Sequence, residues 1–363
     1  MKTYRNLWKK VIDFDNLQLA YELARKHKTR NPHVIEFDLH WRLNLCMLLR
    51  ELRSKTYQPL PLRTFVLRDP KTRKICVSDF RDRIVHHALV NVLQPIFEPR
   101  FISDSYASRR GKGVLQALRR FDQFKRKVTN NGRLRLNARN ANDVVGFVLK
   151  ADIKHYFQTV DHQVLYSLIG RHIKDDDVLW LVKKILDNYS SGVPGKGMPL
   201  GNWTSQFFAN IYLHELDHFV KHHLKAKYYL RYVDDFVIMD NSKPFLKACE
   251  EKIKLFLTTK LKLELHPEKC RIIQLRNGIS LLGFRVFYHH KLPRKRNIRK
   301  IKFKLTKAMT EYENEWRDAH SILDIFHSWS AYAKWGNTHK LRQRMHNSLE
   351  QELIKATAAQ TFQ

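Results

Sequence analysis

Apolar residues recur at helical spacing through most of the first sixty residues. Leu17, Leu19, Tyr21 and Leu23 predict one helix, with Asp15-Asn16 as its cap. Leu39, Leu43, Cys46, Leu49 and Leu52 predict a second across 36–53. The period then shortens. Residues 57–67, broken by Pro59 and Pro61, and residues 68–77 read as strand, turn, strand. Helices are predicted over 80–97 and 114–127, and an inserted basic, Asn-rich loop over 128–142, which lacks any apolar period. A strand over 144–150 delivers Asp152 at its end. A helix over 165–186, a Gly/Pro loop over 190–199 and a helix over 207–224 follow. In 230–239, Asp234-Asp235 sits between two runs of β-branched, aromatic and aliphatic residues, which predicts a hairpin with both carboxylates at its tip. A helix over 244–261, a strand pair over 279–286, a basic linker around 293–297 and a helical remainder complete the chain. Strands and helices alternate in the middle and helices dominate both ends, so the expected class is α+β.

Charge changes this picture more than size does. Of 363 residues, 67 are Lys or Arg and 35 are Asp or Glu, a formal net charge of +32. A hydrophobic fraction of 43% excludes a disordered basic tail. A folded chain this basic implies a polyanionic partner, nucleic acid before membrane. No run of apolar residues is long enough to span a bilayer, and the start of the chain leads into no apolar signal region. The four cysteines lack paired spacing, which predicts buried free thiols rather than zinc. An intracellular, cytoplasmic protein without a membrane partner is expected.

The candidate chemistry starts at Asp234 and Asp235. Carboxylates this close repel unless a cation neutralises them, and hard oxygen ligands with open positions suit Mg²⁺. An isolated Asp-Asp turn is more often a solvated turn, so other segments decide. Lys71, Arg73 and Lys74 lie in a basic hairpin able to close over a triphosphate. Residues 106–113 form a basic glycine loop opening a helix, a plausible phosphate contact. Asp152, followed by Tyr156 and Phe157, is an unusual packing choice at a strand end. His86 and His87 are adjacent on a helix, so they do not share a face, and a structural role is expected for both.

Together these residues resemble a reverse transcriptase, across nearly the whole chain. Tyr232-Val233-Asp234-Asp235 is similar to the family's Y-x-D-D, and Asp152 with Phe157 to its first carboxylate and nucleotide-sugar gate. Thr72-Arg73-Lys74-Ile75 resembles the fingers hairpin, Lys269 the basic residue after the palm hairpin, and Leu282-Gly283-Phe284 the primer grip. The family's usual Gln-Gly and Ser-Pro are here Leu200-Gly201 and Ser205-Gln206. With Ser328–Trp335, this looks like the reverse transcriptases of diversity-generating retroelements, which resemble group II intron enzymes without their maturase and endonuclease extensions. The chain's end soon after the thumb region agrees with that expectation.

The resemblance implies a right-hand polymerase: an N-terminal helical extension (1–60), fingers (61–143), a palm with an antiparallel sheet (144–290) and a helical thumb (291–363). It implies RNA-directed DNA synthesis, mutagenic at template adenines. Bacterial or phage origin is expected. Template RNA, RNA/DNA duplex, dNTPs and a small basic helical accessory protein are the implied partners. Two Mg²⁺ ions, with Mn²⁺ as a substitute, would be held by Asp152, Asp234 and the Ile153 carbonyl, and Asp235 would be a secondary ligand or electrostatic support. Lys71, Arg73 and Arg109 would hold the triphosphate. Phe157, or its neighbour Tyr156, would exclude a 2′-hydroxyl. Lys269 would serve as general acid or as a screening charge. Gly201 and Gln206 would lie near the templating base, and Leu200 would relax base selection. A phage-defence or retron-type enzyme and a catalytically idle RNA-binding scaffold are the competing readings.

Overall fold

The computed structural model describes residues 2–68 and 72–361. Nine strands among the described residues order the architecture: β1 (Arg63–Leu67), β2 (Arg73–Val77), β3 (Phe147–Asp152), β4 (Tyr228–Tyr232), β5 (Asp235–Asp240), β6 (Arg271–Gln274), β7 (Ile279–Leu281), β8 (Phe284–Val286) and β9 (Lys291–Pro293). β1 and β2 pair antiparallel with Arg63 opposite Val77 and Leu67 opposite Arg73. A four-stranded sheet runs β4-β5-β3-β6, and β7-β8-β9 form an antiparallel meander. Helices cover most of the remainder, so helices and sheets are mixed as the sequence predicts.

The chain divides into two compact units, one of residues 1–113, 149–238 and 244–271, the other of 114–148, 239–243 and 272–363. In the first unit, the helix Phe80–Phe97 is the central core element. Its Ile84, Val85, Ala88, Leu89 and Leu93 are fully buried. His86 is buried against the Thr204 hydroxyl, 3.4 Å away, and burial pushes its pKa down to about 3. His87 stacks on Trp203. Both are packing residues, as expected from their adjacency. In the second unit, the helices Lys295–Glu313, Ala319–Ala333 and His339–Thr361 share a core of Ile301, Leu305, Met309, Ile322, Phe326 and Leu349.

Several boundaries differ from the sequence reading. The first predicted cap moves to Asp13, and Asn16 instead donates to the Val11 and Ala88 carbonyls. The helix expected over 36–53 breaks at His40 into Pro32–Leu39 and Trp41–Arg53, which leaves Leu39 and Leu43 exposed. The helix expected over 165–186 is two, His162–Gly170 and Asp176–Asp187. Asp175 caps the second and also accepts from the Leu7 and Trp8 amides. The expected linker near 293–297 is the end of β9 and the start of a helix. Lys and Arg are good helix formers, so a basic run need not be a loop. All four cysteines are free, but Cys46 is exposed and Cys270 only half-buried, contrary to uniformly buried thiols. No helix among the described residues is long and apolar enough to cross a membrane.

Candidate active site

The turn between β4 and β5 is built from beneath. Arg231, an interior position of a buried strand, is wholly buried. Its guanidinium forks onto Asp217, Nε to Oδ1 at 2.7 Å and Nη2 to Oδ2 at 2.6 Å. Nη1 donates to Asn210 Oδ1 and to the Val233 carbonyl, at 3.2 and 3.1 Å. Burial opposes the charge, yet the facing Asp217 carboxylate outweighs it and raises the Arg231 pKa. The bond to the Val233 carbonyl ties this pair to the turn. Val233 itself stands at φ 55°, an unusual conformation for a β-branched residue, so surrounding contacts must hold the turn in place.

β3 brings the first carboxylate to that turn. The Ile153 amide donates to the Asp234 carbonyl at 3.2 Å, fixing the end of β3 beside the hairpin tip. The Asp152 carbonyl accepts from the His266 amide at 2.8 Å, and the Asp152 carboxylate meets Lys269 Nζ at 3.1 Å. Burial pushes the Asp234 carboxyl up to about 6, with further upward pressure from the Asp152 and Asp235 charges and a smaller downward pull from Lys269. Asp235 turns to Lys150 Nζ, 3.2 Å away. Lys150 lies two residues before Asp152, and side chains two apart share a strand face. That alternation was the signal for Lys150, and the sequence reading missed it. It also missed Arg231 and Asp217, whose separation has no local signature.

Among the described residues, no three His, Cys, Asp or Glu side chains form a ready-made metal cage. Asp152 and Asp234 nevertheless meet the chemistry Mg²⁺ requires. They are hard oxygen donors whose mutual repulsion a cation relieves, and Mg²⁺ keeps waters and takes substrate phosphates in its remaining positions.

The neighbouring candidates divide clearly. Tyr156 is buried and its hydroxyl donates to the Ala209 carbonyl at 2.9 Å, so it belongs to the core. Phe157 packs edge-on against Tyr156 and remains half-buried. The Leu200 carbonyl accepts from the Cys76 amide at 3.1 Å. A side chain at Gly201, whose φ is +128°, would meet Ile75 and Val77 at 3.0–3.1 Å, so glycine permits the close approach to β2. Asn202 locks the same junction. Its Oδ1 accepts from the Ser78 amide at 3.0 Å and its Nδ2 donates to Ser78 Oγ at 2.8 Å, both buried. Gln206 is exposed and accepts from Ser108 Oγ at 2.8 Å.

Arg73 is exposed on β2, while Lys71 lies outside the described residues. Arg109 departs from the expected phosphate contact. Its side chain is 7% exposed and its guanidinium is taken up by Glu98 at 2.6 Å and by the Ile102 and Ser105 carbonyls. Protein acceptors satisfy it, which makes Arg109 a strut of the loop.

Leu282, Gly283 and Phe284 belong to the second unit. Leu282 and Gly283, both at positive φ, make the turn from β7 to β8. The Gly283 carbonyl accepts from the Arg294 amide at 3.1 Å and from Asn297 Nδ2 at 3.3 Å, and Phe284 is buried against Tyr332.

The family described as reverse transcriptase (RNA-dependent DNA polymerase) matches residues 68–286. Protein YkfC of Escherichia coli K12 is 29% identical over 294 residues, 70% of this chain and 72% of YkfC. The group II intron-encoded protein LtrA of Lactococcus lactis is 27% identical over 307 residues, 65% of this chain but 48% of LtrA. Among solved structures, telomerase from Candida albicans in complex with a fragment of telomeric RNA superposes with a TM-score of 0.51 at 12% identity. That match covers 82% of this chain and 55% of the other, and it speaks for the fold alone. The chain thus spans about half the length of LtrA and of the telomerase chain. The matched span holds Asp152, the Asp234-Asp235 turn and Lys269 and exceeds half of the sequence, and on that ground the chain belongs to the reverse transcriptase (RNA-dependent DNA polymerase) family.

Proposed function

We propose that this chain copies a template RNA into cDNA, with low fidelity opposite adenine, as the polymerase of a diversity-generating retroelement. The observation that carries the catalytic part is the placement of Asp152 and Asp234. A backbone hydrogen bond holds the two segments together, and burial, with the Asp152 charge added to it, pushes Asp234 up to about 6. Such a pair calls for a cation. Asp152, Asp234 and the Ile153 carbonyl would hold Mg²⁺, or Mn²⁺ in its place, with Asp235 supporting from its pair with Lys150. Bound there, two ions supply charge stabilisation for the attacking and leaving oxygens of nucleotidyl transfer.

The protein's own groups do the positioning. Arg73 and Lys71 grip the triphosphate, Arg73 through a guanidinium that forks onto phosphate oxygens. Phe157, the half-buried member of the aromatic pair, stacks under the deoxyribose and excludes a 2′-hydroxyl. Lys269, which pairs with Asp152 at 3.1 Å, would supply its charge to the departing pyrophosphate, as acid or as counter-ion. Leu282, Gly283 and Phe284 hold the primer strand. In this reading 1–60 is the N-terminal extension, 61–143 the fingers, 144–290 the palm and 291–363 the thumb. Template RNA, the RNA/DNA duplex and a small basic helical accessory protein are the partners.

The diversity-generating part rests on Leu200. Its carbonyl is pinned to β2, and its apolar side chain offers the nascent pair no hydrogen bond. A pocket without polar constraint discriminates weakly between bases. The test is sequencing of cDNA made from one defined RNA, with any accessory protein present. Errors concentrated opposite adenine support the reading. Even errors over all four bases overturn the diversity-generating part and leave the polymerase part standing.

A further inference from the structure

The insertion at 128–142 contributes nothing to the site above, yet it is not a loose loop. Asn130 and Asn131 turn the chain with left-handed backbone. The Gly132 amide donates to Thr129 Oγ1 at 2.9 Å and the Arg133 amide to the Thr129 carbonyl at 2.7 Å. Leu134 then bridges antiparallel to Val144, with the Val145 amide on the Arg133 carbonyl at 3.0 Å and the Arg135 amide on the Asp143 carbonyl at 2.9 Å. The insertion is therefore a short hairpin, fixed within the second unit.

Under it lies a cavity of about 310 Å³, whose lining includes Asn130, Arg133, Arg135, Phe147, Asn241 and Gln274. The size is at the lower end for ligand sites, the volume of one nucleotide rather than of stacked base pairs. Its charge is unbalanced. Gln274 Oε1, a neutral acceptor, takes hydrogen bonds from Arg135 at 3.4 Å and from Arg276 at 2.7 Å. Asp143 is the nearby carboxylate. It already accepts from the Arg139 amide at 2.7 Å and meets Arg276 at 3.5 Å. Arg133 is exposed and has no carboxylate partner among the described residues. Guanidinium groups gathered around one amide oxygen leave a field that an anion would quench. Asn130, Asn241 and Gln274 each carry a carboxamide: the two asparagines bring donors and an acceptor together, and Gln274, whose oxygen the two arginines occupy, brings its Nε2 donor, a set that complements a base edge. Val144, Val145 and a half-buried Phe147 supply the apolar floor against which an unstacked base can lie.

We propose that this cavity takes one unpaired nucleotide of an RNA strand, with the phosphate on Arg133 and Arg135 and the base edge among the three carboxamides. Single-stranded RNA is favoured over an acidic peptide because a carboxylate would use the arginines and leave the amides and the apolar floor idle. The proposal rests on the reading of this chain as an enzyme that works on RNA.

The test measures binding by the full chain of three probes over a range of salt: a short single-stranded RNA, a blunt duplex of the same sequence, and an abasic sugar-phosphate strand of the same length. Arg133→Gln and Arg135→Gln should each weaken the RNA single strand about tenfold, the scale of a lost charge-assisted hydrogen bond. Each should also flatten its salt slope by roughly 0.7. Blunt duplex affinity should stay unchanged, which also shows that the variants are folded. Arg133→Lys should keep the slope and recover part of the affinity. Asn241→Ala should weaken the RNA strand and leave the abasic strand alone. Equal losses on duplex would reduce the site to a general basic surface and overturn the proposal. So would an abasic strand bound as tightly as RNA, displacement of RNA by polyglutamate at equal charge, or no loss in any variant. Primer extension on a short template should survive all four substitutions. A wild-type protein that cannot extend a primer strikes the polymerase reading and leaves the binding result to be judged by itself.

Discussion

Replacing Asp234 by Asn should destroy polymerisation and, in the absence of metal, make the fold more stable. The sign follows from the carboxyl's environment. Burial and the charge of Asp152 push Asp234 up to about 6, from an ordinary value of 3.8. Below the ordinary value both folded and unfolded chains hold the proton, and the group contributes nothing. Between the two values the folded chain keeps a proton that the unfolded chain has released, so stability falls as pH rises. Above about 6 the full penalty is present. A gap of about two units corresponds to roughly 3 kcal/mol, and discounting for the part of the residue that reaches solvent gives about 1–3 kcal/mol. Asn removes the charge and nearly keeps the shape. The variant should match wild type near pH 4 and exceed it at pH 8 by about 2–12 °C in Tm, at roughly 2–4 °C per kcal/mol. The assay is thermal unfolding of both proteins in chelator across that range, read as the difference between them. Adding Mg²⁺ should raise wild-type Tm at pH 8 and leave the variant behind, because an ion bound only by the folded state stabilises it. A difference that does not change with pH would refute the crowded-carboxylate account, as would an Asn variant less stable than wild type at pH 8.

Other substitutions test other parts of the site. Phe157→Ala should admit ribonucleotides in a dNTP/rNTP competition, whereas Tyr156→Phe should leave that ratio unchanged because its hydroxyl serves the core; the opposite pattern would move the gate to Tyr156. Asp217→Ala should cost about 3–5 kcal/mol in denaturant unfolding by leaving Arg231 buried and unpaired, and an effect below 1 kcal/mol would mean the pair does not anchor the turn. Leu200→Gln should lower misincorporation opposite adenine by roughly two- to tenfold, the worth of one net hydrogen bond, with synthesis intact. Deep sequencing of cDNA with unchanged adenine errors would remove Leu200 from the explanation.

The hairpin at Asp234, the strand ending at Asp152 and the strand pair at 279–286 were legible because alternation and turn chemistry are local, whereas the third strand of that meander, β9, was not. The break at His40 was not. Apolar Leu39 and Leu43 continue the helical period across it, but they face solvent, while Leu45, Leu48, Leu49 and Leu52 make the core. Periodicity records where apolar residues are, and burial depends on what arrives from elsewhere. Asp175 illustrates the same limit, since its bonds to the Leu7 and Trp8 amides span more than 160 positions. Arg109 looked like a phosphate ligand because the loop is basic. The Glu98 carboxylate that claims it lies on a preceding helical turn, with nothing in the spacing to announce it. At the site, the carboxylates could be read from motif and strand end. Their supports, Lys150 and the Arg231–Asp217 pair, needed the folded chain to become visible.

The most direct test is primer extension by the purified chain on a defined RNA template, with Mg²⁺ or with chelator, for wild type, Asp152→Asn and Asp234→Asn. The account predicts dNTP-dependent DNA synthesis by wild type in Mg²⁺, none in chelator, and none by either variant while RNA binding persists. Metal-dependent extension by either variant at wild-type rate, or no extension by a folded, RNA-binding wild type with any accessory protein supplied, would contradict it.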